Sequence, residues 1–183
     1  MSAHHLFASL PNLISLGRLF LVPIIVTLIV QPEWGLAFTL FLVAGVSDAV
    51  DGWLAKRFDL RSELGAYLDP LADKALLVSI YISLAVVGVL PAAIAIVVVS
   101  RDMMIVGAVI ISWLLNKPVA IKPLLVSKLN TLAQISLAAA VLAAKAFGFP
   151  LGIWFSVALW IVAALTLASA AAYLTQWVRH MDL

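Results

Sequence analysis

The chain contains no cysteine. That excludes a disulfide framework, a thiolate metal site and a cysteine nucleophile together. Histidine is almost as scarce, with only His4, His5 and His180, all near the ends of the sequence. Charge is thin as well. Asp, Glu, Lys and Arg make up 11% of the residues, against roughly a quarter in an ordinary soluble domain. The net charge is +2, and no basic run is interleaved with aromatics, so nucleic acid is excluded as the main partner.

What the chain has in excess is apolar surface, at 65% of its 183 residues. A soluble fold of this size could not bury that fraction without leaving large exposed patches. The composition therefore predicts an integral membrane protein. The N-terminus lacks the pattern of a cleaved signal peptide, because its first basic residue, Arg18, lies inside the first apolar stretch. That stretch is expected to be a permanent span.

A membrane-crossing helix needs about 20 mostly apolar residues. Six segments qualify: about 11–31, 35–57, 66–89, 91–114, 126–146 and 151–178. Pro32 and Glu33, the polar run from Phe58 to Glu63, Gly88 and Pro91, the stretch from Asn116 to Pro123, and Gly148 with Pro150 mark the breaks. The expectation is an all-α integral membrane fold with six transmembrane helices, forming a single domain over residues 1–183. Lys56, Arg57, Arg61, Lys117, Lys122 and Arg179 fall on one side of that topology, and Lys145 on the other. The positive-inside rule then puts both termini in the cytoplasm or its equivalent. Trp34, Trp113 and Trp177 lie near span ends, where indoles anchor to the lipid interface.

Four of the nine acidic residues are crowded between Asp48 and Asp73. A carboxylate at the centre of a membrane helix costs about 2.5–3.5 kcal/mol, so four of them need compensation. Asp48 and Asp51 are three apart, and Asp69 and Asp73 four apart; each pair shares a helix face. The short polar loop between them makes the two helices antiparallel neighbours. Four carboxylates at close range repel one another strongly at low dielectric. Divalent cations offset that repulsion, and all-oxygen ligands select Mg2+ or Mn2+. Two ions suit four carboxylates and phosphoryl substitution. Gly52 and Ala55, one turn from the aspartates, and Gly65, one turn before Asp69, leave room for a ligand or a neighbouring helix. A cation or proton transporter would spread its acids over several helices and depths, which this hairpin does not.

These residues resemble a known signature. Asp48, Asp51, Gly52, Ala55, Gly65, Asp69 and Asp73 match seven of the eight fixed positions of D-x2-D-G-x2-A-R-x8-G-x3-D-x3-D, the motif of the CDP-alcohol phosphotransferases. Lys56 stands where the family usually has arginine, and Arg57 follows it, so either can meet the donor's diphosphate. Pro11 to Arg18 resembles the opening of the phosphatidylglycerophosphate synthase and cardiolipin synthase branch. Ser100-Arg101-Asp102 and the stretch from Lys122 to Thr131 are most similar to the cardiolipin synthases. Members that use glycerol 3-phosphate more often carry lysine where this chain has Asn130.

The resemblance implies a six-helix homodimer in a bacterial or mitochondrial inner membrane, with a polar cavity open to the cytoplasm or matrix. It implies CDP-diacylglycerol as donor, and phosphatidylglycerol or glycerol 3-phosphate as acceptor. Asp48, Asp51 and Asp69 would ligate metal, with Asp73 beside the second ion as general base. Gly52, Ala55, Lys56, Arg57 and Gly65 would serve the donor. Among the remaining intramembrane charges, which usually mark substrate paths, Arg101 and Lys128 are expected to bind the acceptor's phosphate. The alternative for Arg101 and Asp102 is an ion pair that only holds helices together. Arg18 can reach either substrate and is assigned to the donor. Lys74 is expected to point away from Asp73's site. Asn130 and Gln134 share a face suited to interhelical hydrogen bonds.

Overall fold

The computed structural model describes the backbone of residues 3–57, 63–115 and 124–181, and the side chains of 13–50, 52–53, 71–115 and 124–181. Six helices follow one another: α1 (Ala3–Val30), α2 (Trp34–Arg57), α3 (Glu63–Val86), α4 (Ala92–Leu114), α5 (Leu125–Phe147) and α6 (Ile153–Met181). All six expected spans are present as helices. The main difference is α1, which begins eight residues before the expected 11. The chain turns where the breakers predict. Gly88 and Gly148 adopt φ of 73° and 71°, the left-handed region that glycine enters without a steric penalty. Gly148 closes α5, its N–H bonded to the Ala144 carbonyl, and Pro91 caps the start of α4, where its missing N–H costs nothing.

Among the described residues, four helices carry stretches long and apolar enough to cross a membrane: Leu13–Val30, Ala92–Leu114, Leu125–Phe147 and Ile153–Met181. The described part of α2 adds a shorter apolar stretch, Trp34–Val50. Large apolar side chains point outward around the bundle, among them Phe20, Val86, Ile96, Trp160 and Ile153. An apolar perimeter of this extent is stable against lipid and not against water. The protein is an integral membrane protein.

The bundle divides into two ends. Helix α1 packs on α2 and α3, α2 on α5, and α6 on both α4 and α5. One end is a dry core built from Ile25, Ile29, Phe41, Ile80, Tyr81, Leu84, Val98, Val141, Leu142 and Val162. Aromatic contacts tighten it, with Phe38 edge-on to Phe147 at 5.8 Å and Lys145 over the Trp34 ring at 5.7 Å. Toward the other end the buried side chains turn polar: Arg18, Arg101, Asp102, Asn130, Gln134, Thr166 and Ser169. In lipid, polar groups at this depth require partners within the bundle, and that requirement shapes the site.

Candidate active site

The polar end encloses a cavity of about 270 Å3 to which α1 to α5 all contribute. Arg18 from α1, Asp48 from α2, Asp73 and Lys74 from α3, Arg101 and Asp102 from α4, and Thr131 and Gln134 from α5 line it. Its wall toward the dry core is apolar, made by Phe41, Ala44, Leu76 and Leu77. Ionisable groups thus meet a low-dielectric wall, where electrostatic interactions are strong.

Arg18 organises one side. Its guanidinium, with 1% of the side chain exposed, forms an ion pair with Oδ1 of Asp48 at 2.8 Å and donates to Oδ1 of Asp73. Asp48 and Asp73 remain about half exposed, at 45% and 48%. Two carboxylates from antiparallel helices therefore converge on one buried cation and keep surface open toward the cavity. The spacing predicts α2 and α3 as direct neighbours; instead α1 packs against each of them, and Asp48 and Asp73 meet through its Arg18.

The helices run on through positions 51 and 69, but the side chains of Asp51 and Asp69 lie outside the described residues. So do those of Ala55, Lys56, Arg57 and Gly65. Among the described residues, accordingly, no group of three or more metal-ligating side chains assembles. The described part of the donor set does fit a hard divalent cation. It offers carboxylate oxygens only, they converge, and they already surround positive charge. Gly52 is open, since a Cβ placed there would meet nothing within 4 Å. Packing among the described residues therefore does not demand a glycine there.

The opposite side is built around Asp102, 5% exposed in the interior of α4. Its Oδ1 accepts from Arg101 at 2.6 Å and lies 3.5 Å from the ammonium of Lys74. Arg101 is bound on every face. Its Nε and one terminal nitrogen donate to Ser169 Oγ at 3.2 and 2.7 Å, that same nitrogen also donates to Ser127 Oγ, and the guanidinium lies 5.5 Å from the centre of the Tyr173 ring. One side chain thereby ties α4 to α5 and α6. Both readings of Arg101 from the sequence have support here: it lines the cavity, and it crosslinks helices. Lys128 is exposed on the first turn of α5 and is not among the residues lining the cavity. Lys74 departs from its sequence expectation. It turns away from Arg18, yet it lines the same cavity as Asp73. Successive helix residues differ by about 100° in direction, so Asp73 meets α1 while Lys74 meets α4.

A third polar group holds α5 in place. Thr166 donates to Asn130 Oδ1 at 2.8 Å and accepts from Gln134 Nε2 at 3.3 Å, while the Tyr81 hydroxyl donates to the Gln134 carbonyl at 3.1 Å. Asn130 is fully buried, facing α6 and not lining the cavity. The interhelical role expected for Asn130 and Gln134 is the one their bonds describe. Any effect of position 130 on the acceptor is therefore indirect.

Comparison with known proteins gives these features a family. A model of the CDP-alcohol phosphatidyltransferases matches residues 8–172. The human protein named cardiolipin synthase (CMP-forming) is 34% identical over 179 residues, covering 89% of this chain and 59% of the human one. A rice chloroplast protein named CDP-diacylglycerol–glycerol-3-phosphate 3-phosphatidyltransferase 1 is 36% identical over 186 residues, covering 91% of this chain and 56% of its own. The Bacillus subtilis protein named for that same glycerol-3-phosphate activity is 30% identical over 187 residues, covering 92% of this chain and 94% of its own. The chain thus spans less than two thirds of the human and rice proteins and nearly all of the bacterial one. With the motif placed on the α2–α3 hairpin and the family match running through all six helices, this chain belongs to the CDP-alcohol phosphatidyltransferase family.

Proposed function

We propose that this protein transfers the phosphatidyl group of CDP-diacylglycerol to phosphatidylglycerol, forming cardiolipin and releasing CMP. The observation that carries the reading is the convergence of Asp48 and Asp73, from two antiparallel helices, on one cavity beside lipid. Asp48, Asp51, Asp69 and Asp73 would hold Mg2+ or Mn2+, two ions in all. Bound there, the cations supply charge neutralisation for the donor's diphosphate.

The chain's own residues do the rest. Gly52 leaves backbone open for the nucleotide, with Ala55, Lys56, Arg57 and Gly65 completing the donor site. Arg18 contributes by fixing the two carboxylates that face the donor. Asp73 accepts the proton of the acceptor hydroxyl. The hydroxyl oxygen then bonds to the phosphorus that carries diacylglycerol, as the bond from that phosphorus to the bridging oxygen breaks. CMP leaves with the electron pair. The apolar wall of Phe41, Leu76 and Leu77 keeps bulk water from competing as a nucleophile. No covalent enzyme intermediate is required.

A second acceptor, glycerol 3-phosphate, is favoured by the names of the rice and Bacillus relatives. Phosphatidylglycerol is favoured by the human relative and by the cardiolipin synthase-like segments around Arg101 and Lys128. We further place the site on the cytoplasmic or matrix side of a bacterial or mitochondrial inner membrane, with both termini on that side. The support is the distribution of Lys56, Arg57, Arg61, Lys117, Lys122 and Arg179. We propose a homodimer; an open apolar groove of about 510 Å3 between α3 and α4, lined by Ile82, Val86 and Ile96, is suited to a second copy. The functional test is to offer purified protein labelled CDP-diacylglycerol, Mg2+ or Mn2+, and each acceptor separately. CMP release with phosphatidylglycerol supports the first reading, and release with glycerol 3-phosphate alone overturns it in favour of the second.

A further inference from the structure

The two sides of the cavity differ in charge. Among the described residues, Asp48 and Asp73 outnumber Arg18 on one side, while Lys74 and Arg101 outnumber Asp102 on the other. Of the two cations on the positive side, Arg101 is 6% exposed, with its guanidinium bound to Asp102, Ser127 and Ser169 and packed near Tyr173. Little of it is left for a ligand. Lys74 is 40% exposed. It is held toward Asp102 by charge at 3.5 Å, and an ammonium has three N–H donors to offer.

We propose that Lys74, held over the cavity by Asp102, is the cation that binds the acceptor's phosphate. In this arrangement Asp102 and Arg101 are positioning residues. Arg101 fixes the Asp102 carboxylate in the interior of α4, and Asp102 draws the ammonium of Lys74 across from α3. The inference deepens the proposed function and rests on it. The geometry also accounts for why the residue follows the base directly in sequence. Asp73 and Lys74 have Cα atoms about 3.8 Å apart and diverge around α3 while lining one cavity. A glycerol unit with a phosphate at one end and a free hydroxyl at the other can lie along α3 with the phosphate at Lys74 and the hydroxyl at Asp73. Both candidate acceptors contain that unit, so the shared ligand chemistry is a glycerol phosphate group.

The test uses the full chain purified in detergent, with K74M, K74R and D102N beside the parent. Turnover is measured against short-chain phosphatidylglycerol and, in a second arm, against glycerol 3-phosphate. Affinity for CDP-diacylglycerol is measured directly by calorimetry without acceptor. K74M is expected to raise the acceptor KM at least about tenfold, as loss of a partner from a phosphate ion pair does. Donor affinity should change less than about twofold. K74R should recover most of the loss, and D102N should raise the acceptor KM by an intermediate factor. The arm that shows the shift identifies which glycerol phosphate the site serves. If turnover by K74M is too low for kinetics, calorimetric titration with the acceptor decides. Parental acceptor affinity in K74M, or equal weakening of donor and acceptor, overturns the inference while leaving the proposed function standing. A parent protein that binds CDP-diacylglycerol but releases CMP with neither acceptor overturns both.

Discussion

Replacing Arg101 by methionine separates two roles that the sequence leaves open for that residue. In the structure the guanidinium donates to Ser169, Ser127 and Asp102 and is nearly inaccessible. Its removal strips Asp102, 5% exposed, of its closest counter-charge. Breaking a buried ion pair from one side costs about 3–5 kcal/mol. The Lys74 ammonium, 3.5 Å away, offsets part of that. The lost hydrogen bonds to serine add about 0.6 kcal/mol each on the scale measured between membrane helices. The sum is about 3 kcal/mol. At roughly 2–4 °C per kcal/mol for a chain of this length, R101M should melt roughly 6–12 °C lower in detergent. The assay is thermal unfolding followed by circular dichroism, paired with acceptor KM measured well below the transition. The double variant R101M/D102N should regain at least half of the lost stability, because no buried carboxylate is left uncompensated. An unchanged melting temperature combined with an acceptor KM raised a hundredfold would refute the reasoning and make Arg101 a direct substrate ligand.

Three further outcomes follow from the same geometry. D73N keeps the shape of the base and removes its proton affinity. Turnover should fall by roughly 10²–10⁴-fold, with CDP-diacylglycerol binding still measurable by calorimetry, and a variant of near-parental activity would remove Asp73 from the base role. G52L should fold normally, because nothing among the described residues lies within 4 Å of the added Cβ. It should raise the donor KM by at least about tenfold; melting scans and donor kinetics on one preparation separate the two effects. Treatment with a chelator should abolish CMP release, and Mg2+ or Mn2+ should restore it while Ca2+ does so poorly, because its larger, more flexible coordination suits the site less. Activity that survives exhaustive chelation would contradict the metal assignment to Asp48, Asp51, Asp69 and Asp73.

The sequence made the meeting of Asp48 and Asp73 legible for a simple reason: a carboxylate in lipid is costly, so such groups gather where charge can be offset; that α1 supplies the link between α2 and α3 was not legible. The turns were legible too, because Gly88, Pro91 and Gly148 each answer a backbone demand that few other residues meet. The start of α1 was not, since hydropathy detects the apolar part of a helix and says nothing of where the backbone begins to coil. The partners of Arg101 were hidden for a different reason. Ser169 lies 68 residues away on α6, and serine is common in membrane helices as ordinary packing surface. Nothing local distinguishes it from the serines that bond their own helix, such as Ser83 and Ser112.

Lys74 shows the same limit more sharply. Its neighbour Asp73 belongs to the motif, and a 100° step around a helix normally takes a side chain out of its neighbour's site. The step fails to do so here because the cavity is wide enough to be touched by α1 and α4 at once, with α3 between them. Asp73 and Lys74 then face two parts of one space. That arrangement depends on α4 bringing Asp102 to the level of α3's motif, which rests in turn on Arg101 being tied to α5 and α6. The polar end of the bundle is therefore built from groups that each tie several helices together. Asp48 and Asp73, which draw attention in the sequence, occupy one wall, and the opposite wall is assembled from residues whose significance is tertiary.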